Sequence, residues 1–140
     1  MSKVLIDKSE LVKFETIAKI SNFYLKKAGI TLSFLGYKDF IKKYLTVKED
    51  DIESIYELTK ESITWGNYLS EVENLINAYF LNKIIERDNS SSREIEKEIK
   101  FIRLFQKHLE IQSRHCNSIH SEMIKLYKRN AFRVAFRSSN

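Results

Sequence analysis

Hydrophobic residues recur every three or four positions along most of the chain, which is the spacing of one face of an α-helix. The two longest runs of this pattern span residues 47–87 and 92–129, on either side of the polar stretch at residues 88–92. Shorter runs precede them at residues 9–28 and 37–45. Because a short connection makes two long helices antiparallel neighbours, we predict an all-α helical bundle built on a long antiparallel helical hairpin with shorter N-terminal helices.

Several residues mark where these helices begin and end. Gly29 lies where a left-handed residue commonly ends a helix, and Gly36 either separates the second helix from the preceding residues or lies within one helix. Three pairs have the spacing of a capping box, in which two side chains satisfy amide groups at a helix start. These pairs are Asp7 with Glu10, Thr46 with Glu49, and Ser91 with Glu94.

The composition agrees with long helices and few loops, since the chain has no proline and three glycines among 140 residues. That length forms one hydrophobic core, so we predict a single domain over residues 1–140. Within it, short helices occupy residues 1–46, the hairpin residues 47–129, and a basic C-terminal tail residues 130–140. No apolar run reaches the roughly 18 residues that span a membrane, and the single cysteine fits a reducing compartment. We therefore expect a soluble protein of the cytoplasm.

Charge alternates along the chain in three blocks. Residues 1–47 carry a net charge of +5, residues 48–88 of −6 and residues 89–140 of +6. If the hairpin turns near residue 90, facing residues on its two arms have numbers that sum to about 180. The acidic start of the third helix then lies beside the basic end of the fourth.

Five basic residues and no acidic residue occur between residues 123 and 140. A stripe of cations on one helix face can follow a phosphate backbone, which suggests nucleic-acid binding. The alternative is that these cations complement the helix dipole and pair with acids such as Glu53 and Glu57. The candidate nucleic-acid-binding residues are Lys125, Lys128, Arg129, Arg133 and Arg137.

Near its turn, the hairpin is apolar on more than one side, whereas a surface helix usually has one apolar stripe. We expect the first helix to lie near the Thr46 end, which leaves the turn-proximal half for a partner. In the alternative, the first helix runs along the whole tip and completes a monomeric bundle. The candidate interface residues are Tyr79, Phe80, Ile84, Phe101, Leu104 and Phe105.

Two arginine and histidine pairs have a spacing that resembles the Arg-x4–6-His pattern of HEPN domains, namely Arg103 with His108 and Arg114 with His120. That resemblance implies an all-α ribonuclease. Leu104 stands where a small polar residue usually follows the HEPN arginine. Cys116 and His120 lie one helical turn apart, but two ligands on one helix do not make a metal site.

These observations predict no catalytic residue, metal ligand, cofactor or small-molecule substrate. The favoured function is a non-catalytic interaction protein that forms a homo-oligomer, with a dimer expected first, or docks on another macromolecule as an adaptor or inhibitor. Its size and long helices are typical of proteins of phages and mobile elements. The alternatives are a nucleic-acid-binding helical bundle, which uses basic N-terminal and C-terminal surfaces, and a HEPN-like ribonuclease.

Overall fold

The predicted hairpin is present in the computed structural model, which describes residues 6–90 and 92–138, with side chains described up to residue 135. Its two long helices pack closely against each other, and shorter helices precede them. This confirms the all-α fold. In the described part of the chain, the α-helices are α1 (Lys8–Leu25), α2 (Tyr37–Thr46), α3 (Ile52–Asn89) and α4 (Arg93–Ser138).

Contacts across the hairpin give its register. Ser62 Oγ lies 3.1 Å from His120 Nδ1, and the Gln106 side-chain amide donates to the Asn77 side chain at 2.8 Å. The numbers of facing residues therefore sum to about 182, close to the predicted sum of about 180. The hydrophobic pattern and the polar turn were sufficient to align the two arms.

The start of α3 differs from the prediction. Thr46 is the last residue of α2, and its hydroxyl donates to the Lys42 carbonyl. The helix begins at Ile52, and Asp51 caps it by accepting hydrogen bonds from the Ser54 amide at 3.2 Å and the Ser54 hydroxyl at 2.7 Å. The capping box predicted from Thr46 is wrong because the intervening residues form a turn.

The start of α4 is capped by Ser92, whose hydroxyl accepts from the Ile95 amide at 3.2 Å. The predicted cap, Ser91, lies outside the described residues. At its other end α4 continues to Ser138, well beyond the predicted end at Arg129. The residues predicted as a C-terminal tail are therefore helical as far as residue 138.

The contacts divide the chain into two compact units, and each long helix contributes one half to each unit. The α1 unit combines residues 6–33 with residues 68–113, and the α2 unit combines residues 34–67 with the part of α4 that follows residue 113.

In the α1 unit, α1 packs along the turn-proximal part of the hairpin. The rings of Phe14 and Phe105 stack at 6.3 Å between centroids, and those of Tyr24 and Phe101 stack at 6.2 Å. The position predicted for α1, near the Thr46 end, is therefore wrong. Because α1 covers apolar residues near the turn, the argument that a partner must cover them loses its basis.

The connection after α1 explains this placement. Gly29 adopts a left-handed conformation with φ of 74°, which confirms its predicted role at the end of the first helix. The Asn22 side chain then donates to the Leu32 carbonyl at 2.8 Å and accepts from the Leu32 amide at 3.0 Å. The Ser33 amide donates to the Tyr68 hydroxyl at 3.2 Å. These bonds hold the connection after α1 in place. The connection runs back along the hairpin, away from the turn that α1 approaches.

In the α2 unit, α2 begins at Gly36, whose φ of 90° separates it from the preceding residues. Tyr37 is buried, with its ring centroid 5.1 Å from that of Trp65. One end of α2 is fixed to α4 by a buried hydrogen bond from the Tyr44 hydroxyl to the Glu122 carboxylate. The α2 unit is therefore a three-helix arrangement with its own core.

Candidate docking surfaces of the α2 unit

The last two turns of α4 follow the buried Asn130. Asn130 is buried, and its amide donates to the Glu49 carbonyl at 2.7 Å and to the Leu126 carbonyl at 2.9 Å. All residues from 131 to 135 are exposed, including Phe132 at 72% and Val134 at 56%. We call residues 131–138 the α4 extension.

Cations accompany this apolar surface. Lys125, Lys128, Arg129 and Arg133 are all exposed. Lys128 lies two residues from both Leu126 and Asn130, which are buried, so it lies on the opposite side of the helix at 100° per residue. The side chain of Arg137 lies outside the described residues.

Among the described residues, Lys125, Lys128 and Arg133 do not form the predicted ion pairs with the start of α3. No carboxylate of the described residues lies within ion-pair distance of Lys125, Lys128 or Arg133. The two helix ends are instead joined by Asn130 and by the rings of Tyr56 and Tyr127, whose centroids are 5.8 Å apart. The register was predicted correctly, and the contacts from Asn130, Tyr56 and Tyr127 at this end are uncharged.

An acidic row occupies one side of α3, where Glu53, Glu57 and Glu61 are spaced four residues apart. Like charges at this spacing destabilise a helix. Lys43 relieves part of the repulsion by pairing with Glu61 at 3.1 Å, and Lys60 approaches Glu57 at 3.9 Å. Within the described part of the chain, Glu53 has no ion-pair partner. The row therefore keeps uncompensated negative charge.

Two surface grooves flank this row, with volumes of about 560 Å³ and about 600 Å³. Glu53 and Glu57 line both grooves, and Tyr56 and Tyr127 supply aromatic surface to the larger one. We call these two grooves together the acidic groove. An acidic and partly aromatic groove suits a partner that presents both cations and apolar side chains.

The interface residues predicted near the turn belong to the α1 unit, and the structure gives them mixed surroundings. Phe105 is fully buried against Phe14, and Phe101 stacks on Tyr24. The other four are half-buried, namely Tyr79, Phe80, Ile84 and Leu104. Phe105 therefore has no surface to offer a partner, whereas the other five have part of their surface covered within the unit.

Tyr79 takes part in a charged network on the same unit. Its hydroxyl donates to Glu98 at 2.7 Å, and Lys83 pairs with Glu98 at 3.2 Å and with Glu86 at 3.0 Å. Burial and the hydrogen bond to Glu98 raise the pKa of Tyr79 to about 12. The network crosses the hairpin, and its polar groups are satisfied within the unit.

The members of the two arginine and histidine pairs have different surroundings in the structure. The Arg103 guanidinium lies over the Phe80 ring, 5.8 Å from its centroid. His108 is buried, with Nδ1 3.6 Å from a Glu10 carboxylate oxygen, and burial lowers its pKa. Five helical residues turn by about 140°, so the two side chains leave α4 in different directions.

The second pair is separated in the same way. Arg114 is exposed, whereas His120 is half-buried beside Ser62. Burial raises the pKa of the Cys116 thiol to about 11, which favours the neutral form. Among the described residues, no group of three histidine, cysteine, aspartate or glutamate side chains has the geometry of a metal site.

Comparison with protein families, with curated proteins and with solved structures gives no match to this chain. Within the described residues, no helix has the length and apolar character needed to cross a membrane. The assignment of function therefore depends on the surfaces of the molecule itself.

Proposed function

We propose that this chain is a helical interaction protein that self-associates through the α4 extension. The observation that carries the proposal is the exposure of Phe132 and Val134 on a helix end that continues beyond Asn130. Phe132 and Val134 lie on opposite sides of the helix, because two residues turn by about 200°. An exposed phenylalanine beside cations, on a helix end whose described side chains are all exposed, is a surface that a second chain can cover. Burying one exposed phenylalanine stabilises an interface by up to about 3 kcal/mol.

Self-association is tested by sedimentation equilibrium or light scattering on the full chain over a range of concentrations. We expect a concentration-dependent dimer that Phe132→Ser weakens at least tenfold. The matched control is Phe23→Ser, because Phe23 is 67% exposed but lies on α1. A wild-type chain that stays monomeric at several hundred micromolar contradicts the proposal.

The turn-proximal surface is the other place where self-association could occur, since Leu81 and Ile85 are both exposed there, one helical turn apart. Leu81→Ser separates the two surfaces in the same experiment. If Leu81→Ser dissociates the dimer and Phe132→Ser does not, the interface lies near the turn. Self-association then stands, but its assignment to the α4 extension is wrong.

A second candidate function is nucleic-acid binding through the basic residues of α4. It is favoured by the exposed Lys125, Lys128 and Arg133, which have no carboxylate within ion-pair distance among the described residues. Binding by cations releases counterions from the phosphate backbone, so affinity falls steeply as salt increases.

Fluorescence anisotropy with a labelled single-stranded RNA and a labelled DNA duplex tests this candidate at two salt concentrations. Replacing Lys125, Lys128 and Arg133 with Gln should weaken binding and reduce its salt dependence. The control replaces Lys13 and Lys19 of α1 and Lys26 directly after it, which removes the same charge from the other unit. Absence of salt-dependent binding by the wild-type chain excludes this function.

A further inference from the structure

The acidic groove and the α4 extension have complementary chemistry, and both belong to the α2 unit. We propose, resting on the self-association proposed above, that the α4 extension of one copy binds the acidic groove of a second copy. Two copies related by a two-fold axis then exchange their extensions reciprocally.

Charge complementarity identifies the occupant of the groove. Glu53 and Glu57 line the groove, and Glu53 lacks an ion-pair partner among the described residues. Lys128 lies on the side of α4 opposite the buried Leu126 and Asn130, and no carboxylate of the described residues lies within ion-pair distance of it. A second copy supplies the cations that the row lacks within one copy.

The dimensions of the two surfaces also agree. The acidic row rises by about 12 Å over the eight steps from Glu53 to Glu61, and the eight residues of the α4 extension rise by about the same length at 1.5 Å per residue. Arg129 and Arg133 are four residues apart, as are Glu53 and Glu57. Two helices that lie side by side therefore bring successive cations and carboxylates together at the same interval.

Apolar contact supplies the part of the affinity that exposed ion pairs do not. Surface ion pairs contribute little to stability on their own, and their main effect on association is to fix register and partner choice. Tyr56 and Tyr127 are 47% and 38% exposed beside the groove, and Phe132 is exposed on the extension. Burial of Phe132 against these two rings gives the interface an aromatic centre with charged pairs around it.

A two-fold axis limits the proposed assembly to a dimer. Each copy carries one α4 extension and one acidic groove on the same unit, so a two-fold axis allows both contacts to form in one dimer. The assembly then ends at two copies because no extension and no groove is left unoccupied.

A charge-exchange experiment tests this inference. The first variant, Glu53→Lys with Glu57→Lys, makes the groove basic. The second, Arg129→Glu with Arg133→Glu, reverses the two cations of α4 that have the spacing of Glu53 and Glu57. Each variant alone places like charges in both contacts of its homodimer, so we expect dimerisation to weaken at least tenfold. An equimolar mixture restores opposite charges in both contacts of the heterodimer, and sedimentation should recover dimers of wild-type affinity.

The matched control, Glu71→Lys with Glu94→Lys, makes the same charge change at exposed positions of the α1 unit. It should dimerise as the wild type does, and circular dichroism verifies that every variant is folded. If both charge variants dimerise like the wild type, the inference is overturned while self-association stands. Dissociation of each variant without recovery in the mixture also overturns it, because the two charged groups then do not face each other. A monomeric wild type that binds RNA through the same cations overturns both proposals.

Discussion

Asn130 donates a hydrogen bond from its side-chain amide to the backbone carbonyl of Glu49, at 2.7 Å, across the end of the α2 unit. Glu49 lies in the connection between α2 and α3, so one side chain of α4 holds this connection in place. The residues of α4 that follow Asn130 are exposed as far as their side chains are described. This bond therefore marks the boundary between the part of α4 that belongs to the core and the extension proposed to bind a second copy.

The first prediction concerns this bond. Asn130→Ala removes the side-chain amide that donates to the Glu49 carbonyl. The free energy of unfolding should therefore fall by about 1–2 kcal/mol. Urea denaturation at a low protein concentration measures the change without a contribution from association. The control is Asn117→Ala, an exposed position on the same helix, which gains the same helix propensity without losing such a bond. Equal stability of the two variants contradicts the role assigned to Asn130.

A second prediction tests whether α1 covers the turn-proximal apolar residues. Phe105 is fully buried and stacks on Phe14, so Phe105→Ala should lower the free energy of unfolding by about 3–5 kcal/mol. An interface residue of a self-associating surface would behave differently, because its truncation would weaken the dimer and leave the monomer almost as stable. Denaturation at two protein concentrations distinguishes the two outcomes. Phe80→Ala, at a half-buried position in the same unit, should have a smaller effect.

The third prediction is a pH dependence that arises from His108. Burial lowers the pKa of His108 in the folded chain, although Glu10 at 3.6 Å acts in the opposite direction. The unfolded chain, with a pKa of about 6.5 for this histidine, binds more protons than the folded chain below that pH. Stability should therefore fall as the pH decreases through about 6.5 towards the folded pKa.

Thermal unfolding between about pH 8 and pH 5 measures this dependence. His108→Gln should reduce the loss of stability on acidification, because it removes the group that must be protonated. Glu10→Gln should have the opposite effect, since it removes the charge that favours protonated His108. Identical pH profiles for the wild type and His108→Gln are inconsistent with this account.

The hairpin was predictable because its signals are local. The periodic apolar residues and the polar stretch at residues 88–92 determine the two arms and their register, and contacts such as Gln106 with Asn77 agree with it. The placement of α1 was not predictable in the same way. It depends on the left-handed Gly29 and on the pair of hydrogen bonds between Asn22 and Leu32, neither of which leaves a periodic pattern.

The end of α4 was misjudged because the helix was predicted to end where its periodic apolar pattern was taken to stop, at residue 129. The Asn130 side chain is in fact buried and bonded to Glu49, and the helix continues. The cations of the candidate surface are visible in the sequence, as is the acidic row of α3. Whether they pair within one copy depends on the direction in which Lys128 leaves the helix, and only the three-dimensional arrangement gives that direction.

The final prediction compares two glycines that the sequence alone could not distinguish. Gly66 lies inside α3 with a φ that is not positive, and a Cβ atom there would lie 3.9 Å from both Asn117 and Cys116, which is ordinary van der Waals contact. Gly66→Ala should therefore stabilise the chain by about 0.5–1 kcal/mol through helix propensity.

Gly36 begins α2 with a φ of 90°, so Gly36→Ala should destabilise the chain by about 1–2 kcal/mol through backbone strain. Urea denaturation of the two variants should thus give opposite signs for the same chemical change. Destabilisation by Gly66→Ala would mean that α3 and α4 approach more closely at this point than the distances to Asn117 and Cys116 indicate. Tolerance of Gly36→Ala would mean that the turn before α2 does not require a left-handed residue.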